Sequence, residues 1–176
     1  MSARKMVNRQ SICDTAMQLI RLHGVESLSM RTLAAALGIK APSLYDHVKN
    51  RDEVIALVQG AGLLDFGDGF AVAGTTTRDK ILFYRQWALA NPKLYPVVFQ
   101  QRLQRELLPD GLEANVLGLV VDAAGGSHIL ARTMWAQLHG LVDLELQGRL
   151  PVDADMQSTW EQVIVGFEAN QKANMT

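Results

Sequence analysis

Five side chains in the stretch "LGIKAPSLYDHVKN", residues 37–50, can donate hydrogen bonds outward: Lys40, Ser43, Tyr45, His47 and Lys49. Hydroxyls, an imidazole and ammonium groups within ten residues form a set suited to phosphate rather than to bond breaking. Ala41 and Ser43 are small, so the backbone around Pro42 can approach base edges, and an alanine methyl can meet a thymine methyl. A helix N-terminus adds unsatisfied N–H groups and partial positive charge, which favour an anion. No comparable set points to catalysis. His23, His47, His128 and His139 are scattered, and no HExxH, GxSxG or phosphate-cradling glycine loop occurs. "GAGLLDFGDG" carries glycines without a preceding strand, so it is not a dinucleotide site. No zinc spacing exists, and no cofactor or metal is expected.

These residues need elements to hold them. Gly38 stops one helix and Pro42 starts another, because proline tolerates the first helical turn and glycine the left-handed cap. Ile12, Ala16, Leu19 and Ile20 share a face of a first helix over roughly 6–23, closed by Gly24. Ser29 caps a second helix, Met30 to Leu37, with Leu33, Ala34 and Leu37 inward. Leu44 and Val48, four apart, turn inward from a short third helix. Asn50, with Glu53 three residues on, resembles a capping box opening a helix over about 51–64. Two helices joined by a glycine turn, with a third to pack against, predict a helix-turn-helix, whose short last helix suits insertion into a major groove.

Beyond this head, "GLLDFGDGFAVAGTTT" (62–77) reads as a domain boundary or loose connector. Helices are predicted near 76–90, 92–105, 112–124, 127–147 and 154–172, and no alternating strand pattern appears. The expectation is an all-α chain: a three-helix DNA-binding head over 1–50, a connecting helix over 51–66 and a second helical domain over 67–176.

Composition fits this. The 176 residues are 48% hydrophobic and 20% charged, as in an ordinary globular protein. Net charge is −1, yet residues 1–54 hold eight Lys/Arg against five Asp/Glu, and the remainder is acidic. A basic head joined to an acidic remainder suggests two parts with different partners. No run reads as a membrane span or signal peptide, so no membrane partner is expected. Cys13 is the only cysteine, which suits a reducing cytoplasm, and its place beside inward Ile12 suggests a buried, inert thiol.

"SMRTLAAALGIKAPSLYDHVKNRDEV", 29–54, resembles the DNA-binding domain of the tetracycline-repressor (TetR) family. The matching residues are Arg31, Leu33-Ala34, Leu37-Gly38, Pro42, Leu44-Tyr45 and "HVKN" at 47–50, and the likeness covers about residues 8–58. It implies a homodimeric repressor on a double-stranded DNA operator, released by a small-molecule effector. It also implies that Arg31 reaches a guanine and that Pro42 and Ser43 sit at recognition-helix positions. Tyr45 and His47 then meet phosphates, and Arg51, replacing the usual lysine, holds one bidentately. Ala41 stands where tetracycline repressors have a base-reading glutamine, and Asp46 where they have tryptophan. Asp46 would repel phosphate unless it faces away.

In the second part, "SHILARTMWAQLHGLVDLELQGRLP" is apolar on two sides. Such a helix must be covered twice, once by its own domain and once by a second copy. Leu138, Val142 and Leu146, with Trp160, Val163, Ile164 and Phe167 of the last helix, are the predicted dimer interface. The family likeness implies a four-helix interface from the last two helices of each subunit. "TMWAQLHGLVDLELQGRL" further resembles a Trp/His-Gly type of C-terminal domain within the family. Phe83, Trp87, Tyr95, Phe99, Met134, Trp135 and His139 either converge on a mostly apolar effector pocket or fill the core. The competing functions are a helical dimer with weak nonspecific DNA binding and, less favoured by the residues, an enzyme.

Overall fold

The computed structural model describes residues 7–174 and is all-helical, with no strand among the described residues. The α-helices are α1 (Arg9–His23), α2 (Met30–Leu37), α3 (Arg51–Val72), α4 (Thr77–Ala90), α5 (Leu112–Ala123), α6 (His128–Leu146) and α7 (Met156–Asn174). Short 3-10 turns occupy Val25–Ser27, Ala41–Leu44 and Arg105–Leu107, and a single π turn occupies Pro96–Gln100.

The chain forms two compact units. One comprises Met1–Leu64 with Asn91–Leu112, the other Asp65–Ala90 with Glu113–Thr176. In the N-terminal unit, Ile12, Ala16 and Ile20 of α1 are buried with Leu33, Leu44, Val48 and Val54. Local chemistry sets the element ends. Asn8 and Ser11 form a capping box at α1, and Ser29 and Thr32 another at α2. Gly38, at φ 71, closes α2 through paired bonds from its own N–H to Ala35 O (3.1 Å) and from Ile39 N–H to Ala34 O (3.0 Å). Lys93 donates its ammonium to Leu22 O (2.5 Å) at the end of α1, where the helix dipole favours a cation.

Three expectations need correction. The glycine-rich run after Leu64 is no connector: α3 continues through it to Val72. Its glycines serve close packing. A Cβ on Gly62 would lie 2.4 Å from Val98 Cγ2, and one on Gly69 would lie 2.4 Å from Phe83 Cζ. By length and composition α3 is also apolar enough to cross a membrane, which the sequence reading missed; 61% of its apolar stretch is buried within the chain. Finally, no regular helix spans 92–105. Buried Gln59 of α3 donates its amide to the carbonyls of Val97 and Arg102 (both 3.1 Å) and accepts from Gln104 N–H (3.3 Å). These bonds hold the main chain of the segment, which folds as the π turn and a 3-10 turn rather than as one continuous helix.

The C-terminal unit packs α4, α6 and α7 together. Ile81, Tyr84 and Ala88 of α4, Ala131, Met134, Leu138 and Val142 of α6, and Trp160, Ile164 and Phe167 of α7 are buried. Thr77 Oγ1 and Gln171 Nε2 both donate to Ala123 O (2.9 and 2.7 Å), tying the ends of α4, α5 and α7.

Candidate nucleic-acid interface

The Ala41–Leu44 turn is narrower than an α-helix. Its bonds run Ser43 N–H to Lys40 O (3.0 Å), Tyr45 N–H to Pro42 O (3.1 Å) and His47 N–H to Leu44 O (2.9 Å). A three-residue repeat puts Ala41, Leu44 and His47 on one inner row, Pro42 and Tyr45 on an outer row, and Ser43 and Asp46 on another. Burial follows the rows. Leu44 is fully buried, Ala41 and His47 are half-buried, and Pro42, Ser43, Tyr45 and Asp46 are exposed. Tyr45, 56% exposed, is therefore not a core aromatic. Arg31 lies exposed on the first turn of α2, beside the capping box.

A clamp behind the turn fixes its exit. Glu53 Oε2 accepts from Lys49 N–H and Oε1 from Arg9 Nη1, each at 2.6 Å, while Arg9 Nη1 also donates to His47 O (2.9 Å). Asn50 Oδ1 caps α3 by accepting from Glu53 N–H (2.9 Å). The Lys49 N–H, then the Arg9 guanidinium, hold the Glu53 carboxyl below its ordinary value, because both donors favour the charged form.

Arg51 departs from the expected phosphate fork. Its Nε donates to Leu28 O (2.8 Å) and its Nη2 to Val25 O (2.9 Å). That edge of the guanidinium is taken by main-chain acceptors, so the bidentate arrangement is not available to a phosphate there. Cys13 is buried, its Sγ donating to Leu57 O (3.4 Å), and burial, with Asp14 nearby, pushes the thiol up to about 11.

The C-terminal unit gathers most of the expected pocket side chains around one that was missed. Phe66 of α3 lies 5.7 Å from Phe83, 5.9 Å from Tyr84, 5.5 Å from Trp87 and 6.1 Å from Trp135, ring centre to ring centre. Tyr84 shares a hydrogen bond with His139 Nδ1, and the Trp135 ring lies 5.1 Å from that imidazole, tilted by 43°. Trp87 donates its indole N–H to Asp65 Oδ2 (3.0 Å). Met134 is buried. Tyr95 and Phe99 instead belong to the N-terminal unit, where their rings lie 5.5 Å apart. Phe66 and Asp65 went unnoticed because they sit in the glycine-rich run; the i, i+4 pair Phe66 and Phe70 was the available signal.

The expected dimer residues are core residues. Leu138, Val142, Trp160, Val163, Ile164 and Phe167 are buried within a single chain, and Leu146 is half-buried. Trp160 donates to Glu145 Oε2 (2.9 Å), and Glu145 in turn pairs with Arg85 (2.5 Å). Most of the apolar surface of α6 is thus used inside the protein, while Ile129 and Leu144 stay exposed. What α6 and α7 expose includes small residues, Thr133, Ala136 and Gly140 on one and Ser158, Gly166 and Ala169 on the other, beside the apolar Ile129, Leu144 and Val165. A Cβ on Gly140 or Gly166 would meet nothing within 4 Å. Between these helices runs an open groove of about 520 Å³ lined by Gln137, Asp155, Ser158, Thr159, Gln162 and Val163.

Comparison with known proteins agrees with this layout. Residues 12–58 match the family model described as bacterial regulatory proteins, tetR family, and residues 81–167 match a tetracyclin repressor-like C-terminal domain. An HTH-type transcriptional regulator of Mycobacterium tuberculosis, Rv0681, is 25% identical across 97% of this chain and 84% of its own length. The class D tetracycline repressor protein of Escherichia coli is 47% identical over 45 residues, covering 26% of this chain and 21% of that one. Among solved structures, apo ActR from Streptomyces coelicolor aligns with a TM-score of 0.68 at 20% identity, over 99% of this chain and 100% of that one. A variant of TetR from Acinetobacter baumannii AYE, in complex with minocycline, aligns at 0.65 and 16% identity, over 94% and 99%. These two structural likenesses speak to fold alone. Head and C-terminal domain both match models of one family, and the relatives are regulators rather than enzymes: the chain belongs to the TetR family of transcriptional regulators.

Proposed function

We propose that the protein is a ligand-responsive repressor that binds a palindromic double-stranded operator as a homodimer in the cytoplasm and is released by a small, mostly apolar effector. The observation that carries this reading is the recognition turn, Ala41–Leu44 and the residues to His47. Its inner row anchors it and its two outer rows stand exposed, behind a buried Glu53 clamp. Pro42 and Ser43 then face base edges, with Tyr45 and Arg31 contributing polar contacts, and the half-exposed flanks of Ala41 and His47 border them. Arg51 supports the head rather than gripping phosphate through its fork.

Two recognition turns must reach successive major grooves, about 34–36 Å apart, so a dimer is mechanically required. The small residues exposed on α6 and α7 support that dimer: Thr133, Ala136, Gly140, Ser158, Gly166 and Ala169 let two such helix pairs approach closely. For the effector, the rings around Phe66 supply apolar faces, and Tyr84, His139 and Asp65 supply polar handles. The Trp/His-Gly type of C-terminal domain is our reading of Trp135 and His139-Gly140.

Selection of bound sites from random duplexes tests the proposal. The expected product is a two-fold-symmetric site preferred over random DNA by about 10³ or more at physiological salt. Equal affinity for all duplexes would replace this reading with nonspecific binding.

A further inference from the structure

The exposed face of the recognition turn carries one negative charge. Asp46 is exposed, and no hydrogen bond or ion pair engages its carboxylate among the described residues. It shares its outer row with Ser43, three residues earlier, because the bonds from Ser43, Tyr45 and His47 each reach back three residues. The row alongside is Pro42 and Tyr45. Arg9, whose guanidinium reaches this turn at His47 O, pairs with Glu53 and not with the Asp46 carboxylate.

A partnerless carboxylate is costly beside a duplex that presents one phosphate charge about every 1.7 Å of axis. On the groove floor, however, a carboxylate finds donors. Only two bases offer one there, the N4 amine of cytosine and the N6 amine of adenine. Adenine sets its N7 acceptor next to that amine, so an acceptor-only group meets attraction and repulsion side by side. Cytosine sets a C–H there instead. Ser43, which can donate or accept, tolerates either neighbour.

We propose that Asp46, carried on the same outer row as Ser43, reads a cytosine in each operator half-site by accepting from its N4 amine. The inference rests on the reading above, that this turn enters a major groove, and adds which base it selects.

The test uses the full-length protein and its Asp46→Asn and Asp46→Ala variants, each selecting sites from a random duplex pool. Wild type is expected to fix cytosine at one half-site position and its symmetry mate. The Asp46→Asn site should change to adenine there, since an amide can pair with N6 and N7 together. With Asp46→Ala that column alone should become degenerate. A second measurement needs wild type only. Replacing the selected cytosine by 2-pyrimidinone, which lacks the amine, should weaken binding about tenfold, the size of an ordinary mismatch. A symmetric site whose columns are unchanged in both variants, or an unchanged affinity for the pyrimidinone duplex, overturns the role of Asp46 and leaves the regulator reading intact. A wild-type selection that enriches nothing overturns both.

Discussion

The two compact units hold their polar side chains by different means. In the N-terminal unit, long side chains reach main-chain carbonyls: Arg9 to His47, Arg51 to Val25 and Leu28, Gln59 to Val97 and Arg102, and Lys93 to Leu22. At the centre of the C-terminal unit the links run from side chain to side chain, as in Arg85–Glu145–Trp160, Tyr84–His139 and Trp87–Asp65. A carbonyl held by a side chain fixes the path of a loop. A bond between two side chains, here amid edge-on and tilted rings, links helices without engaging their main chain. The contrast teaches that the head is pinned through its main chain, whereas the centre of the aromatic unit is held through its side chains.

The sharpest way to break this contrast is Glu53→Ala, which removes the acceptor for both Lys49 N–H and Arg9. Loss of two charge-assisted bonds at a buried position should cost about 3 kcal/mol in urea unfolding. Acid gives a related readout. The folded-state carboxyl titrates below its ordinary 4.5, so its contribution is complete above that value and is lost as pH falls beneath it. Wild type should show that loss and Glu53→Gln should not.

Arg51→Ala comes next, at about 2 kcal/mol, because the carbonyls of Val25 and Leu28 lose their donors. Unchanged stability with a flatter salt dependence of DNA binding would instead assign the side chain to phosphate. The smallest effect is expected for Tyr84→Phe, which keeps the ring and loses only the bond to His139, at about 1 kcal/mol. If calorimetry found Tyr84→Phe costlier than Arg51→Ala, the contrast between the units would fail.

Legibility in the sequence follows the same division. The Ser29 cap, the Gly38 stop and the inward pair Leu44 and Val48 depend on residues within a turn or two, and all were readable. The main-chain bonds of Arg51 were not, because its acceptors lie 26 and 23 residues upstream. Glycines at 62 and 69 looked like a linker because the side chains they make room for, Val98 and Phe83, are distant in sequence. The large apolar residues of α6 and α7 were assigned to a partner because periodicity counts apolar faces without saying what covers them. Here α4, α6 and α7 cover one another, and the surface left over mixes small residues, which carry no hydrophobic signal, with the exposed apolar side chains of Ile129, Leu144 and Val165.

The solitary thiol at Cys13 has a practical consequence. Sealed beneath α3 and kept protonated, it ignores oxidants and alkylating reagents as long as the head stays shut. Its labelling rate under native conditions therefore serves as a clock for transient opening of the head alone, read from a single atom without any engineered probe.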